Sequence, residues 1–379
     1  MPSIASSRTY FPEADVHQIL RDVEAVLRGD QLRAGAHAAS LERLVAAWCG
    51  ATTGIAMNSG TSCLEAIFRA LDVAGGEVVV PTNTFIATAA AAEHAGARVR
   101  LVESHRDTLA PSAADVAAAL GPATRAVVIV HMGGIVSPET PAIARLCAER
   151  GVPLVEDACQ ALGSRLDGRP AGSFGTAACF SFYPTKVTAG GEGGVLTTSD
   201  ATLAAVAASL SDQGRGPDPL LSVRLGFNWR LSEFNAIVAG AQMRRLDDIL
   251  ARRARIAGRY LDLLREDPLV PPMPVPAGVT PNWYKFWVLL PDGVDAEAVR
   301  QACAANHDLR LPNGTQDVPV HRQPPYRDGG HHFPDADWFA AHHLCLPIYP
   351  DLPVEAAAGI VAAVREEVAA RRELVGSGR

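Results

Sequence analysis

AVVIVHMGGIVSPETPAIARLCAERGVPLVEDACQ, residues 126–160, reads as one complete strand–helix–strand unit. The run 126–130 is wholly apolar and rich in β-branched residues, as a strand buried on both faces requires. Residues 140–150 come next as a helix, and 152–155 are apolar again. The same alternation continues outward. Strands are expected over 53–57, 77–80, 99–102, 178–182 and 195–198, and helices over 14–28, 39–49, 61–71, 85–94 and 112–120. A long helical segment covers 231–265. Fully apolar strands alternating with helices imply an α/β fold: a mostly parallel central sheet with helices on both faces. The texture changes at 267–281, where Pro268, Pro271, Pro272, Pro274, Pro276 and Pro281 mark a linker or a rigid extended crossing. A strand over 284–290, a helix over 295–306, a loop rich in Pro, Gly and His over 311–334 and a helix over 354–372 complete the chain. The expected division is a large α/β domain, 1–265, and a small C-terminal α+β domain, 266–379.

The 379 residues are 48% hydrophobic and 20% charged, ordinary for a globular protein, and the net charge is -7. No block of basic residues occurs, so nucleic acid and anionic membrane are not expected partners. The first residues lack a basic stretch followed by an apolar one, and no run of about 18 apolar residues exists, so neither a signal peptide nor a transmembrane helix is expected. Seven cysteines are scattered without a CxxC spacing, which suits a reducing compartment and hence the cytoplasm.

Open parallel sheets bind ligands beyond the carboxyl ends of their strands. The residues just beyond each expected strand are therefore informative. Asn58-Ser59-Gly60-Thr61-Ser62 comes after the first strand, and either cradles a phosphate on a helix N-terminus or is an ordinary cap. Phe85 either stacks on a flat ring or joins the core. Asp157 directly succeeds an apolar strand, so its carboxylate needs a partner: a protonated pyridine nitrogen or another side chain. Lys186 sits in SFYPTKVTAGGEGG with only Glu192 charged nearby. It is either a desolvated nucleophile with lowered pKa or a surface lysine before a glycine turn. The pairs His331-His332 and His342-His343 are adjacent rather than at i, i+4, and no metal site is expected. A nicotinamide-dependent oxidoreductase would show GxGxxG after an early strand, which is absent.

Taken together, NSGTSCLEAIFRAL (58–71), PTNTFIATA (81–89), LVEDACQALGS (154–164), FGTAACFSFYPTK (174–186), GGEGGVLTT (190–198), GFNWRLSEFNA (226–236), PVHRQPPYR (319–327) and LCLPIYPDL (344–352) resemble the DegT/DnrJ/EryC1/StrS family of aminotransferases dependent on pyridoxal 5′-phosphate (PLP). GDQLRAG (29–35) extends the resemblance toward the N-terminus. The resemblance implies the fold-type-I architecture, PLP as cofactor, and a homodimer with its active site at the subunit interface. It implies that Lys186 is the Schiff-base lysine and proton carrier, Asp157 the partner of the pyridine nitrogen, Gln160 the neighbour of the phenolic oxygen and Phe85 the stacking aromatic. Gly60, Thr61, Ser62 and Ser181 match the phosphate cradle, and Asn228 a phosphate ligand from the other subunit. The implied reaction moves an amino group from glutamate or glutamine to a keto group, in most relatives that of a nucleotide-linked sugar, in secondary-metabolite or glycan biosynthesis. Keto-cyclitol and aminohydroxybenzoate chemistry, and a catalytically silent PLP-binding regulator, are the alternatives. Dehydratase relatives replace the lysine with histidine, so Lys186 disfavours them. His131-Met132-Gly133-Gly134 departs from the sugar-aminotransferase pattern, in which an aromatic often precedes the last glycine. Gly133 is expected to leave space in the acceptor pocket, with His131, Tyr183, His321 and Tyr326 as candidate acceptor contacts. Glu103-Ser104-His105 also replaces a usual acidic run.

Overall fold

A computed structural model describes residues 4–29, 31–218, 220–314, 317–330 and 332–376; His331 lies outside them. Helices α1 (Glu13–Arg28) and α2 (Ala36–Cys49) lead into β1 (Thr53–Met57) and α3 (Gly60–Ala70). There follow β2 (Glu77–Pro81), α4 (Ile86–His94), β3 (Arg98–Val102), α5 (Ala113–Ala119), β4 (Thr124–Val130), α6 (Thr140–Glu149) and β5 (Leu154–Asp157). Two short strands, β6 (Arg165–Leu166) and β7 (Arg169–Pro170), precede β8 (Ala177–Ser181), β9 (Gly194–Thr198) and α7 (Ala201–Ser211). Helices α8 (Glu233–Arg244) and α9 (Leu246–Leu264) come next. The chain closes with β10 (Val279–Thr280), β11 (Phe286–Leu289), α10 (Ala296–His307), α11 (Pro334–His342), β12 (His343–Leu346) and α12 (Ala356–Gly376).

The central sheet has the order β1-β9-β8-β5-β4-β2-β3. Strands β3, β2, β4, β5 and β8 pair in parallel, and β9 alone runs against its two neighbours, β8 and β1. All strands but β9 therefore end at one edge. The chain that leaves β8 at that edge re-enters the sheet there through β9, so the connection carrying Lys186 is held over the carboxyl ends.

Alternation along β4 explains why both faces are covered. Val128 and Val130 pack in a cluster with Leu64 and Ile67 of α3, while Val127 and Ile129 pack with Val116 of α5 and Ile143 of α6. Leu41 and Val45 of α2 and Ala236 of α8 bury β8 residues Ala178 and Phe180. The expected helix 231–265 is two helices, because Arg245 (φ -109°, ψ 12°) breaks the helical path. Helix α7 adds to the elements expected from the sequence; Asp200 caps it by accepting from the Thr202 and Leu203 N–H groups. The proline stretch is an extended crossing alongside β11: the Met273 N–H donates to the Trp287 carbonyl at 3.0 Å and the Leu289 N–H to that of Pro271 at 2.8 Å. Strands β11 and β12 pair antiparallel. Tyr260 of α9 shares a cluster with Phe286, Val299, Leu344 and Val364, so the second half of α9 packs with the C-terminal elements. No helix among the described residues is long and apolar enough to cross a membrane.

One buried carboxylate ties the sheet to its loops. Glu156 of β5 is fully buried, and its oxygens accept from the Gly172 N–H at 2.7 Å, the Gly175 N–H at 2.6 Å and the Phe174 N–H, with His131 Nε2 at 2.8 Å. Removing the carboxylate strands three donors and a histidine in the interior. We expect Glu156→Ala to lower the unfolding free energy by about 4 kcal/mol in urea denaturation. A loss under about 1 kcal/mol would show that the 172–175 turn does not depend on it.

Candidate active site

A cleft of about 1260 Å³ opens at the carboxyl edge of the sheet, between the ends of β5 and β8 and the start of α3. Ser59 caps α3 by accepting from the Ser62 N–H at 3.0 Å. The N–H groups of Gly60 and Thr61 have no acceptor within the helix, and both residues line the cleft. A Cβ on Gly60 would meet Cys159 Sγ at 2.9 Å, so only glycine lets α3 approach β5 this closely. Ser181, at the end of β8, faces the same space. Ser62 does not line it: its hydroxyl donates to Asn58 Oδ1 at 2.6 Å and lies 2.7 Å from Ser59 Oγ, because bracing the cap occupies it.

Asp157 is buried at the cleft floor. Its Oδ2 accepts from Thr88 Oγ1 at 2.7 Å and its Oδ1 from the Cys159 N–H at 3.1 Å. Among the described residues it has no ion-pair partner, so the alternative of a structural salt bridge is not seen. Phe85 lines the cleft with 52% of its surface exposed, although it is a large aromatic residue. It is therefore not a core residue. A buried carboxylate without a cation and an unburied aromatic in one cleft match a flat, cationic heteroaromatic ring.

Lys186 lies half-buried where the β8–β9 connection passes the cleft, and its Nζ is 5.0 Å from the ring centre of Tyr284. Burial works to lower its pKa, but its electrostatic interactions with the acidic groups Tyr284, Cys159 and Asp157 and its hydrogen bond with Tyr284 outweigh burial, and the net shift is upward. This corrects the lowered pKa expected from burial alone. Tyr284 moves the complementary way. Burial would raise its hydroxyl, yet Lys186 and Lys285 bring it below the usual tyrosine value. Its hydroxyl also lies 3.1 Å from Thr185 Oγ1.

Gln160 lines the cleft, and its Oε1 accepts from the Gly133 N–H at 2.8 Å, which leaves its amide NH₂ for the cleft. Tyr183 is exposed there as well. The other expected acceptor contacts are placed elsewhere. His131 is 1% exposed, with its ring against Glu156. His321 is buried between Thr82 Oγ1 at 2.7 Å and Asp337 Oδ1 at 2.9 Å, where it straps the 319–322 turn to the end of β2. Tyr326 packs on the core beside that turn. The space expected at Gly133 is filled. Gly133 adopts φ +63°, and a Cβ there would lie 1.9 Å from Cη2 of Trp287; one on Gly134 would lie 1.9 Å from Asn282 Oδ1. The loop is thus a packing surface for β11 and the turn before it, not a pocket wall. Asn228 is exposed on a loop beyond this cleft, with Oδ1 accepting from Arg230. No group of potential metal ligands exists among the described residues, and His342 and His343 each bond a carbonyl one turn back in α11 and an aspartate.

Sequence reasoning missed Thr88, Tyr284 and Lys285. Thr88 stands one helical turn after Thr84, whose hydroxyl lies 2.8 Å from its own, and that i, i+4 pair of threonines was the available signal. Tyr284 and Lys285 carried none, since they read as the start of a strand.

A model of the DegT/DnrJ/EryC1/StrS aminotransferase family matches residues 13–365. A UDP-N-acetyl-3-dehydro-alpha-D-glucosamine 3-aminotransferase of Acidithiobacillus ferrooxidans is 34% identical over 354 residues, 92% of each chain. A protein of Geobacillus stearothermophilus described as a pleiotropic regulatory protein is 30% identical over 357 residues, 92% of this chain and 94% of that one. The crystal structure of DesI in the presence of its TDP-sugar product has a TM-score of 0.91 at 27% identity, covering 100% of this chain and 96% of that chain. The carboxyl-edge cleft and the end-to-end match agree: the chain belongs to the DegT/DnrJ/EryC1/StrS aminotransferase family and is a PLP-dependent aminotransferase of the sugar-aminotransferase kind.

Proposed function

We propose that the protein transfers an amino group from glutamate or glutamine to the keto group of a nucleotide-linked keto-sugar, in secondary-metabolite or glycan biosynthesis. The observation that carries the site assignment is the buried, unpaired carboxylate of Asp157 in the same cleft as Lys186 and exposed Phe85. The relatives' UDP- and TDP-linked sugars support the acceptor class.

When bound, PLP supplies an aldehyde carbon for the amine and a protonated ring that accepts electron density. Lys186 holds the cofactor through Nζ and, once released, carries the proton taken from the donor's Cα. Asp157 holds the ring nitrogen protonated, with Thr88 and the Cys159 N–H fixing the carboxylate's orientation. Phe85 covers the ring face, and Gln160 donates to the phenolic oxygen. The N–H groups of Gly60 and Thr61, with Ser181, bind the phosphate at the α3 N-terminus; Ser62 braces the cap. Tyr183 contacts the acceptor.

The phosphate site is completed by Asn228 of a second copy. Leu220, Leu221, Val223 and Leu225, exposed together on the segment leading to Asn228, support a homodimer, because a contiguous apolar stretch of this kind is buried by a partner.

We expect PLP added to the purified protein to give a visible absorbance band that Lys186→Ala abolishes; a colourless wild-type protein sinks the lysine assignment. Glutamate or glutamine should bleach the band, and a band that neither amine bleaches favours the silent-regulator reading. Asp157→Asn should keep the band but lower kcat by about 100-fold or more, measured in single turnovers. Leu225→Asp should shift the sedimentation coefficient from dimer to monomer and abolish turnover; an active monomer excludes a shared site.

A further inference from the structure

A second lobe of about 710 Å³ adjoins the cleft, between residues 6–10, the turn at 312–313 and α9, and shares Lys186, Tyr284 and Lys285 with it. Its charge is one-sided. Arg8, Lys186, Arg253 and Lys285 line it, and no aspartate or glutamate does among the described residues, in a chain whose net charge is -7. The main cleft, by contrast, carries Asp157 and Glu192.

Arg253 is the unusual member. It is 3% exposed, its Nε donates to the Trp283 carbonyl at 3.0 Å and its Nη2 to that of Tyr284 at 3.2 Å. Nη1 has no acceptor among the described residues, and no carboxylate among them pairs with the guanidinium. Burial brings its pKa down to about 10, so it stays charged at neutral pH. A buried cation without an anion is costly. Supporting the 283–284 turn accounts for Nε and Nη2, but not for Nη1 or for the other bases around it. Lys285 is likewise without a carboxylate among the described residues, its Nζ donating to the Asn313 carbonyl at 3.2 Å. Arg8 is partly neutralised by Asp351 at 3.1 Å.

We propose that this lobe is an oxyanion subsite that takes a carboxylate of the amino donor, through Arg253 Nη1 and Lys285. The proposal rests on the transamination assigned above. The shared wall selects the donor over the acceptor. Lys186 and Lys285 line both the lobe and the cleft, so the lobe opens beside the Nζ that the donor's amine displaces, and an amino acid carries its carboxylate only a bond or a few from that amine. The phosphates of a nucleotide-sugar are separated from its keto carbon by the breadth of the hexose.

The test uses glutarate, an unreactive dicarboxylate, and its neutral diamide, titrated into the PLP-loaded protein by calorimetry. Glutarate should bind and the diamide should not. Lys285→Gln should weaken glutarate, and raise the donor's apparent Kd in the donor half-reaction, about tenfold. The nucleotide-sugar's apparent Kd, read in the acceptor half-reaction, should change less than the donor's. Arg253→Gln should abolish glutarate binding; because it also removes the strut, Arg253→Lys with a circular dichroism check separates charge from folding. No glutarate binding to a wild-type protein that turns over, or a Lys285→Gln defect confined to the nucleotide-sugar, overturns the subsite. Glutarate binding in a protein that never transfers an amino group overturns the function assigned above and leaves the carboxylate subsite standing.

Discussion

Two consecutive carboxylates end β5, and a strand turns consecutive side chains to opposite faces of its sheet. Both Glu156 and Asp157 are buried, so each face had to supply something for an acid. Behind the sheet Glu156 collects three backbone N–H groups and His131. This fixes the 172–175 turn that feeds β8, and with it the strand whose exit carries Lys186. In front, Asp157 receives only Thr88 and one backbone N–H, and no cation among the described residues. The face that satisfies its acid with protein is structural. The face that leaves its acid one cation short is the candidate site.

The direction of β9 is the second constraint. A parallel return after β8 would need a crossover to the far edge. The antiparallel return keeps residues 182–193 at the carboxyl edge, above β5, and holds Lys186 beside the cleft that Asp157 floors. Chain direction therefore does for Lys186 what burial does for Asp157.

Those features were legible because they are written in local pattern. Apolar runs that end in Asp157 or in Tyr183-Pro184-Thr185-Lys186 identify both the strands and the edge where chemistry collects. The features that stayed hidden depended on partners far away in sequence or on helices without a distinguishing face. The break at Arg245 interrupts a stretch whose helical spacing continues across it. Helix α7 is nearly all apolar and shows no face. The net pKa shift of Lys186 depends on Tyr284, which the sequence offers only as a strand residue.

The His131–Gly134 loop shows the same limit in its sharpest form. A glycine in place of a bulkier residue reads as vacancy when its surroundings are unknown. Here the vacancy is taken by Trp287, far along the chain on a strand of the C-terminal sheet, and Asn282 closes over Gly134. Asn282 also bonds the Gln160 and Leu162 carbonyls, and the Gly133 N–H holds Gln160. The small residues thus admit the C-terminal segment rather than substrate, and that segment delivers Tyr284 and Lys285 to the site. The loop bears on the candidate cleft through the wall it lets in.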